Sequence, residues 1–130
     1  MKNIAPAIGL FALAIASISV GNVLLKLGMV RYNLLTAAGL PAAQALWHVP
    51  ELAAGTVLML VQFVCTVTLF KWGWDASVVI PVLGLCYVMM GILGKWTLGE
   101  PVNAMRWFGI LLIVLGVFFV ARSGALGKSN

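Results

Sequence analysis

Acidic side chains are almost absent from this 130-residue chain. Glu51, Asp75 and Glu100 stand against eight Lys and Arg, with one histidine, His48, and two cysteines, Cys65 and Cys86. So few carboxylates exclude the paired acids of a hydrolase, and no nucleophile has a base beside it, so nothing points to an enzyme. Metal binding is disfavoured for the same reason, since His48 lies far from either cysteine and structural sites need clustered ligands. No cofactor is implied. Both cysteines fall within apolar runs, which argues against a disulfide.

Charge of either sign is scarce as well. Only 8% of residues are charged, where a soluble domain carries about 25%. In its place stand 63% hydrophobic residues and a mean hydropathy of +1.12. These values define an all-α, polytopic membrane protein that forms one compact domain. The net charge of +5 punctuates apolar runs and comes with no nucleic-acid motif, so lipid headgroups and membrane topology explain it better than RNA or DNA.

A bilayer core about 30 Å thick needs roughly 20 apolar residues in a helix. Four stretches qualify: 4–29, 52–71, 76–96 and 105–121. The first outlasts the apolar core of a signal peptide and reads as a retained span. Trp47, Trp72, Trp74, Trp96 and Trp107 all fall at predicted span ends, where indole rings favour the headgroup level. The segment 30–50 reads as an interfacial loop, partly helical. Pro101, in "TLGEPVNAMR", bars any helix from running through the last connection.

Four spans put both termini on one side. That side carries Lys2, Lys71, Arg122 and Lys128 with Asp75; the other carries Lys26, Arg31, Lys95 and Arg106 with Glu51 and Glu100. The balance favours cytoplasmic termini by a small margin, which leaves an inverted or dual topology open.

Several polar groups interrupt the apolar runs. In the first span Ser19, Asn22 and Lys26 share one helical face. Lys26 could snorkel to headgroups, but an amide one turn deeper on the same stripe favours a wet or protein-facing seam and a functional ammonium. Gln62, with Thr66 one turn on, is either glue between helices or a substrate contact. The third span carries Pro81, which can kink it, Tyr87 with a mid-span hydroxyl, and a smooth face of Gly84, Gly91 and Gly94. Lys95 is expected to snorkel. Glu100 reads either as a solvated loop acid or as a partner for Lys26, Lys95 or Arg106. Those three cations together would suit a phosphate. The fourth span is apolar all round, with Gly109 and Gly116 seven apart, and suits packing against another helix or subunit.

The stretches "SVGNVLLKLGM", "PVLGLCYVMMGIL" and "LGEPVNAMRWFGILLIVLGV" resemble the drug/metabolite transporter superfamily. More narrowly they resemble its small four-helix, EamA-like members, the subunits of the bacterial aminoarabinose-phosphoundecaprenol flippase. The resemblance covers most of the chain apart from the long first connection and the tail. It implies a bundle like that of the small multidrug-resistance proteins, working as a homodimer or heterodimer in the bacterial inner membrane. It also implies a lipid cargo, a polyprenyl-phosphate-linked sugar or related anionic lipid moved between leaflets. The positions matching the family pattern are Asn22, where relatives carry glutamine, Lys26, Pro81, Glu100 and Pro101. The small multidrug-resistance exporters, a cousin family, work through a glutamate in the first span. Here the stretch 4–29 has no acid and carries Lys26 instead, which would repel a cationic drug and attract a phosphate. Export of small cations, and an accessory subunit that transports nothing, are the alternatives. Substrate contacts are assigned to Lys26, Asn22, Ser19, Gln62, Tyr87, Arg106 and Glu100, and conformational freedom to Pro81, Gly84 and Gly91.

Overall fold

The computed structural model describes residues 4–99 and 101–126. Six helices follow one another: α1 (Ile4–Ala37), α2 (Ala42–Trp47), α3 (Pro50–Lys71), α4 (Ala76–Leu83), α5 (Cys86–Thr97) and α6 (Ala104–Leu126). Helix is the expected outcome, because lipid offers no partner to backbone N–H and C=O groups and the chain must satisfy them itself. α4 and α5 form one interrupted crossing, so among the described residues four helical segments are long and apolar enough to cross a membrane.

Helix ends follow local chemistry. α1 closes on Gly39, whose φ of 94° is open to glycine at little cost. Gly39 N–H donates to Thr36 O and Leu40 N–H to Leu35 O, the paired bonds of a Schellman turn, and Pro41 bars resumption. Gly73 closes α3 in the same way, with bonds to Phe70 O and from Trp74 N–H to Leu69 O. α5 ends at Thr97, beside Gly99 at φ 62°, two residues before Pro101 would have stopped it. Pro50 opens α3 at a position where its missing N–H costs nothing. Asn103 opens α6: its Oδ1 accepts from Arg106 N–H at 2.9 Å.

α1 does not stop where the predicted first span does. It continues through 30–37, giving a helix of 34 residues, about 51 Å long and well beyond the hydrocarbon thickness. α2 then folds back on α1 and α3, burying Ala45 and Val49.

The most extensive packing joins α1 to α3. Ala7, Ala14, Gly21 and Gly28 recur every seven residues on α1 and all are buried. On α3 the buried Gly55 and Leu69 lie fourteen apart on the facing side. A Cβ on Gly21 would stand 2.8 Å from Met59 Cε and 3.2 Å from Gly55 O; one on Gly55 would meet Leu25 Cγ at 2.8 Å and Gly21 O at 2.9 Å. A Cβ on Gly28 would strike Leu52 at 2.8 Å. Small residues thus let the two backbones approach, which is how helices adhere in lipid where no hydrophobic drive exists. Towards the other end of the pair the core is Ala7, Ala14, Cys65, Leu69, Val79 and Leu83. Trp74 joins that core, edge-on to Phe11 with ring centroids 5.5 Å apart. It is therefore a packing residue, whereas Trp47 is 90% and Trp96 79% exposed.

α6 packs on α4 and α5. Its inward side is Ile110 and Val117: Ile110 Cδ1 lies 2.6 Å from where a Cβ on Gly91 would be, and Val117 is buried. Gly109 and Gly116 lie one position over, and a Cβ on either would meet nothing within 4 Å. The glycine pair of the fourth span is thus not the surface that packs within the chain.

Candidate functional site

Depth in the bilayer can be read from the α1–α3 pair. Arg31 Nη1 donates to Glu51 Oε1 at 2.7 Å, linking the outer part of α1 to the first turn of α3. α3 has 22 residues, close to the minimum for a crossing, so its first turn sits at the hydrocarbon edge. Arg31 marks the same level. Lys26 is five residues further in, about 7 Å deeper, and Asn22 nine residues, about 13 Å. The ammonium therefore belongs to a position just inside the apolar layer, with the amide below it.

The stripe Ser19–Asn22–Lys26 lies beside the glycine seam of α1 and is distinct from it, since it falls roughly 100–160° around the helix from Gly21. Accessibility increases outward along it: Ser19 is buried, Asn22 half-buried and Lys26 exposed. Ser19 Oγ satisfies itself by donating to Ile15 O at 2.7 Å. The Asn22 side chain makes no hydrogen bond among the described residues. A half-buried amide at this depth without a protein partner among the described residues is costly unless a polar ligand or water serves it, and such groups mark places where one enters.

The other candidate residues divide. Gln62 Nε2 donates to Thr66 Oγ1 at 3.0 Å, and Thr66 Oγ1 in turn donates to Gln62 O at 3.0 Å, so this amide is served within its own helix rather than across to a neighbour. Gln62 lies seven residues from Gly55, on the α1-facing side of α3. Tyr87 is 61% exposed on α5. Arg106 is exposed in the first turn of α6, its backbone held by the Asn103 cap. Glu100 lies outside the described residues, as do Lys2 and Lys128.

Among the conformational candidates, Pro81 has no N–H to offer the Ser77 carbonyl. The chain answers by tightening just after it. Gly84 N–H reaches Pro81 O at 2.9 Å, Leu85 N–H reaches Val82 O at 3.1 Å, and Tyr87 N–H reaches Gly84 O at 3.0 Å. These three-residue bonds break the crossing into α4 and α5. Gly84 sits at the break and Gly91 is pressed against Ile110. The sequence reading missed the Ala7–Ala14–Gly21–Gly28 seam and the Arg31–Glu51 pair. The seven-residue spacing it found in the third and fourth spans was equally available in the first.

Fold and site together define a small multi-pass membrane protein with one polar stripe rising through its longest helix. The chain is 34% identical to the uncharacterized protein y4nH of Sinorhizobium fredii over 126 residues, 94% of this chain and 99% of that protein, and it belongs to the same family. Shorter stretches are similar to proteins described as probable 4-amino-4-deoxy-L-arabinose-phosphoundecaprenol flippase subunits ArnE. The match is 40% over 48 residues in Pseudomonas savastanoi and 31% over 45 residues in Serratia proteamaculans. These cover 37% and 35% of this chain, and 42% and 39% of the ArnE proteins, so the shared stretch spans about two fifths of those subunits. The likeness relates the chain to small membrane transporter subunits. No family model and no solved structure matches it.

Proposed function

We propose that the protein is a transporter subunit of the bacterial inner membrane that carries a polyprenyl-phosphate-linked sugar, or a related anionic lipid, between leaflets. The observation that carries this reading is the half-buried Asn22 amide without a partner among the described residues, one turn below Lys26 on the same stripe. The ammonium supplies charge for a phosphate and the amide supplies donor and acceptor for what is attached to it. The partial similarity to ArnE, a flippase subunit by name, supports the same class of cargo.

In this reading the polyprenyl tail stays in lipid while the head passes along the stripe. Arg106 and Glu100 lie on the same predicted membrane side as Lys26 and would tune the local charge. Bare hydrocarbon would strip the head of its water partners, and the stripe replaces some of them. Pro81 and the break at Gly84 give the third crossing the freedom that alternating access requires. Four crossings are thin for a closed pathway, so a second small subunit, identical or similar, completes it. The exposed side of α6 that holds Gly109 and Gly116 is the surface offered for it. Export of a cation is disfavoured by sign, because α1 has no acid among its described residues and the charged member of the stripe is Lys26.

The test is binding by the purified protein in liposomes. Undecaprenyl phosphate should be retained and a quaternary ammonium dye should not, and Lys26→Leu should abolish the retention while Lys26→Arg preserves it. Retention of the dye in place of the lipid would refute the reading. Lipid translocation that survives Lys26→Leu would favour an accessory subunit instead.

A further inference from the structure

The continuous α1 helix carries the polar stripe further than the predicted span allowed. Had the chain left the helix at Met29, no phase relation would hold beyond it. Because α1 is unbroken to Ala37, Asn33 falls seven residues after Lys26 and returns to the same face. Ser19, Asn22, Lys26 and Asn33 lie within roughly 60° of one another around the axis. Asn33 stands about 10 Å outward of Lys26, beyond the Arg31–Glu51 level and so above the hydrocarbon edge. Its side chain is exposed and makes no hydrogen bond among the described residues; only its backbone carbonyl is engaged, accepting from Thr36 Oγ1 at 3.0 Å. Met29 and Val30, both about half exposed, flank the lane with apolar surface between the two polar positions.

We infer that Asn33 is a head-group contact at the outer mouth of this lane, and that it recognises a neutral, hydroxyl-bearing group carried by the phosphate held at Lys26. The chemistry sets the class. A carboxamide offers two donors and an acceptor without charge, which suits a sugar hydroxyl that both gives and takes a hydrogen bond, and about 10 Å along α1 from Lys26 it stands beyond a phosphate held there. The stripe thereby divides its labour: Lys26 reads charge at the edge of the apolar layer, and Asn33 reads the polar head where water begins. The inference rests on the anionic-lipid reading above and specifies which part of the cargo is recognised.

The experiment uses the full-length protein in liposomes and two probes, undecaprenyl phosphate and undecaprenyl phosphoryl-glucose. Asn33→Ala should weaken binding of the glucose-bearing lipid about fivefold, the loss of one hydrogen bond, and leave undecaprenyl phosphate unchanged. Asn33→Gln, which keeps the amide, should restore most of the affinity. Unchanged binding of undecaprenyl phosphate also serves as the check that the variant is folded. If Asn33→Ala leaves both affinities alone, or lowers both alike, the role assigned to Asn33 is wrong while the Lys26 reading stands. If the unaltered protein holds neither lipid, both fall together.

Discussion

Arg31 and Glu51, twenty residues apart in the chain, meet at 2.7 Å and pin the outer third of α1 to the start of α3. Arg31 is the more exposed of the two side chains, and Glu51 Oε2 is buried with no hydrogen bond of its own. Arg31 is thus its one side-chain partner among the described residues, beside a backbone hydrogen bond at the start of α3. The pair also sets the level against which Lys26, Asn22 and Asn33 are placed, so its loss should loosen the register of the stripe as well as the fold.

That asymmetry predicts an order among variants. Arg31→Ala leaves a partly buried carboxylate unpaired and should lower the melting temperature in detergent more than Glu51→Ala, which frees only an exposed guanidinium. The double variant should be less destabilised than the two single effects added together. Raising the salt concentration should shrink the difference, since Arg31 is more than half exposed. A double variant whose loss equals the sum of the two single losses would show that the two groups do not act as a pair.

The glycines of α1 and α3 and those of α6 should respond in opposite ways. Gly55→Leu forces a side chain against Leu25 and the Gly21 carbonyl, 2.8 and 2.9 Å from the first added atom, and should cost about 3 kcal/mol or more. Gly116→Ala meets open space and replaces the poorest ordinary helix former by the best, so the monomer should gain about 1 kcal/mol. If α6 docks a second subunit through that side, Gly116→Leu should shift the protein towards monomer in analytical ultracentrifugation while leaving its melting temperature in the monomeric state unchanged. A melting temperature that falls with Gly116→Ala would place that residue inside the packed fold.

The start of α6 gives a local test. Asn103 holds the third helical N–H through its side chain, and Arg106 is the residue so held. Asn103→Ala should cost about 1 kcal/mol, and Asn103→Ser or Asn103→Asp should recover most of it. Measured by thermal unfolding in detergent, equal stability of all three variants would mean that the cap contributes nothing beyond solvent.

Four crossing helices were legible because apolar runs of about twenty residues have few other uses. The course of α1 past Met29 was not, because Arg31, Asn33 and Thr36 break the apolar run without breaking the helix. Hydropathy reports the solvent around a segment, not its backbone. The stop signal was nonetheless present in Gly39 and Pro41. Which helices pair could not be read either, for the side of α1 that packs on α3 is as apolar as the sides that face lipid, and no polarity contrast marks it. Size marks it instead, and Ala7, Ala14, Gly21 and Gly28 do so only once α3 is seen against them. The indole of Trp74 obeyed the rule for span ends in sequence, yet its ring is claimed by Phe11 and the core. Of the candidate site, the stripe Ser19–Asn22–Lys26 was visible from helical spacing. The self-sufficiency of Ser19 and Gln62 was not, since a hydroxyl or amide that bonds within its own helix has the same sequence as one that awaits a ligand.

Asn22 and Gln62 differ in that respect, and the difference predicts opposite trade-offs between stability and binding. Gln62 is served by Thr66, so Gln62→Leu removes a satisfied group and should change stability by no more than about 1 kcal/mol, with little effect on retention of undecaprenyl phosphate. Asn22 is half-buried at membrane depth and unserved among the described residues. Asn22→Leu removes that cost and should raise stability by about 1–2 kcal/mol while weakening retention of undecaprenyl phosphoryl-glucose, the pattern of a group kept for its ligand rather than for the fold. Asn22→Gln retains an amide and should hold affinity within a few-fold. Thermal unfolding and liposome binding on the same three variants decide it: an Asn22→Leu protein that is both less stable and fully able to retain the lipid would make Asn22 a packing residue and remove the amide from the site.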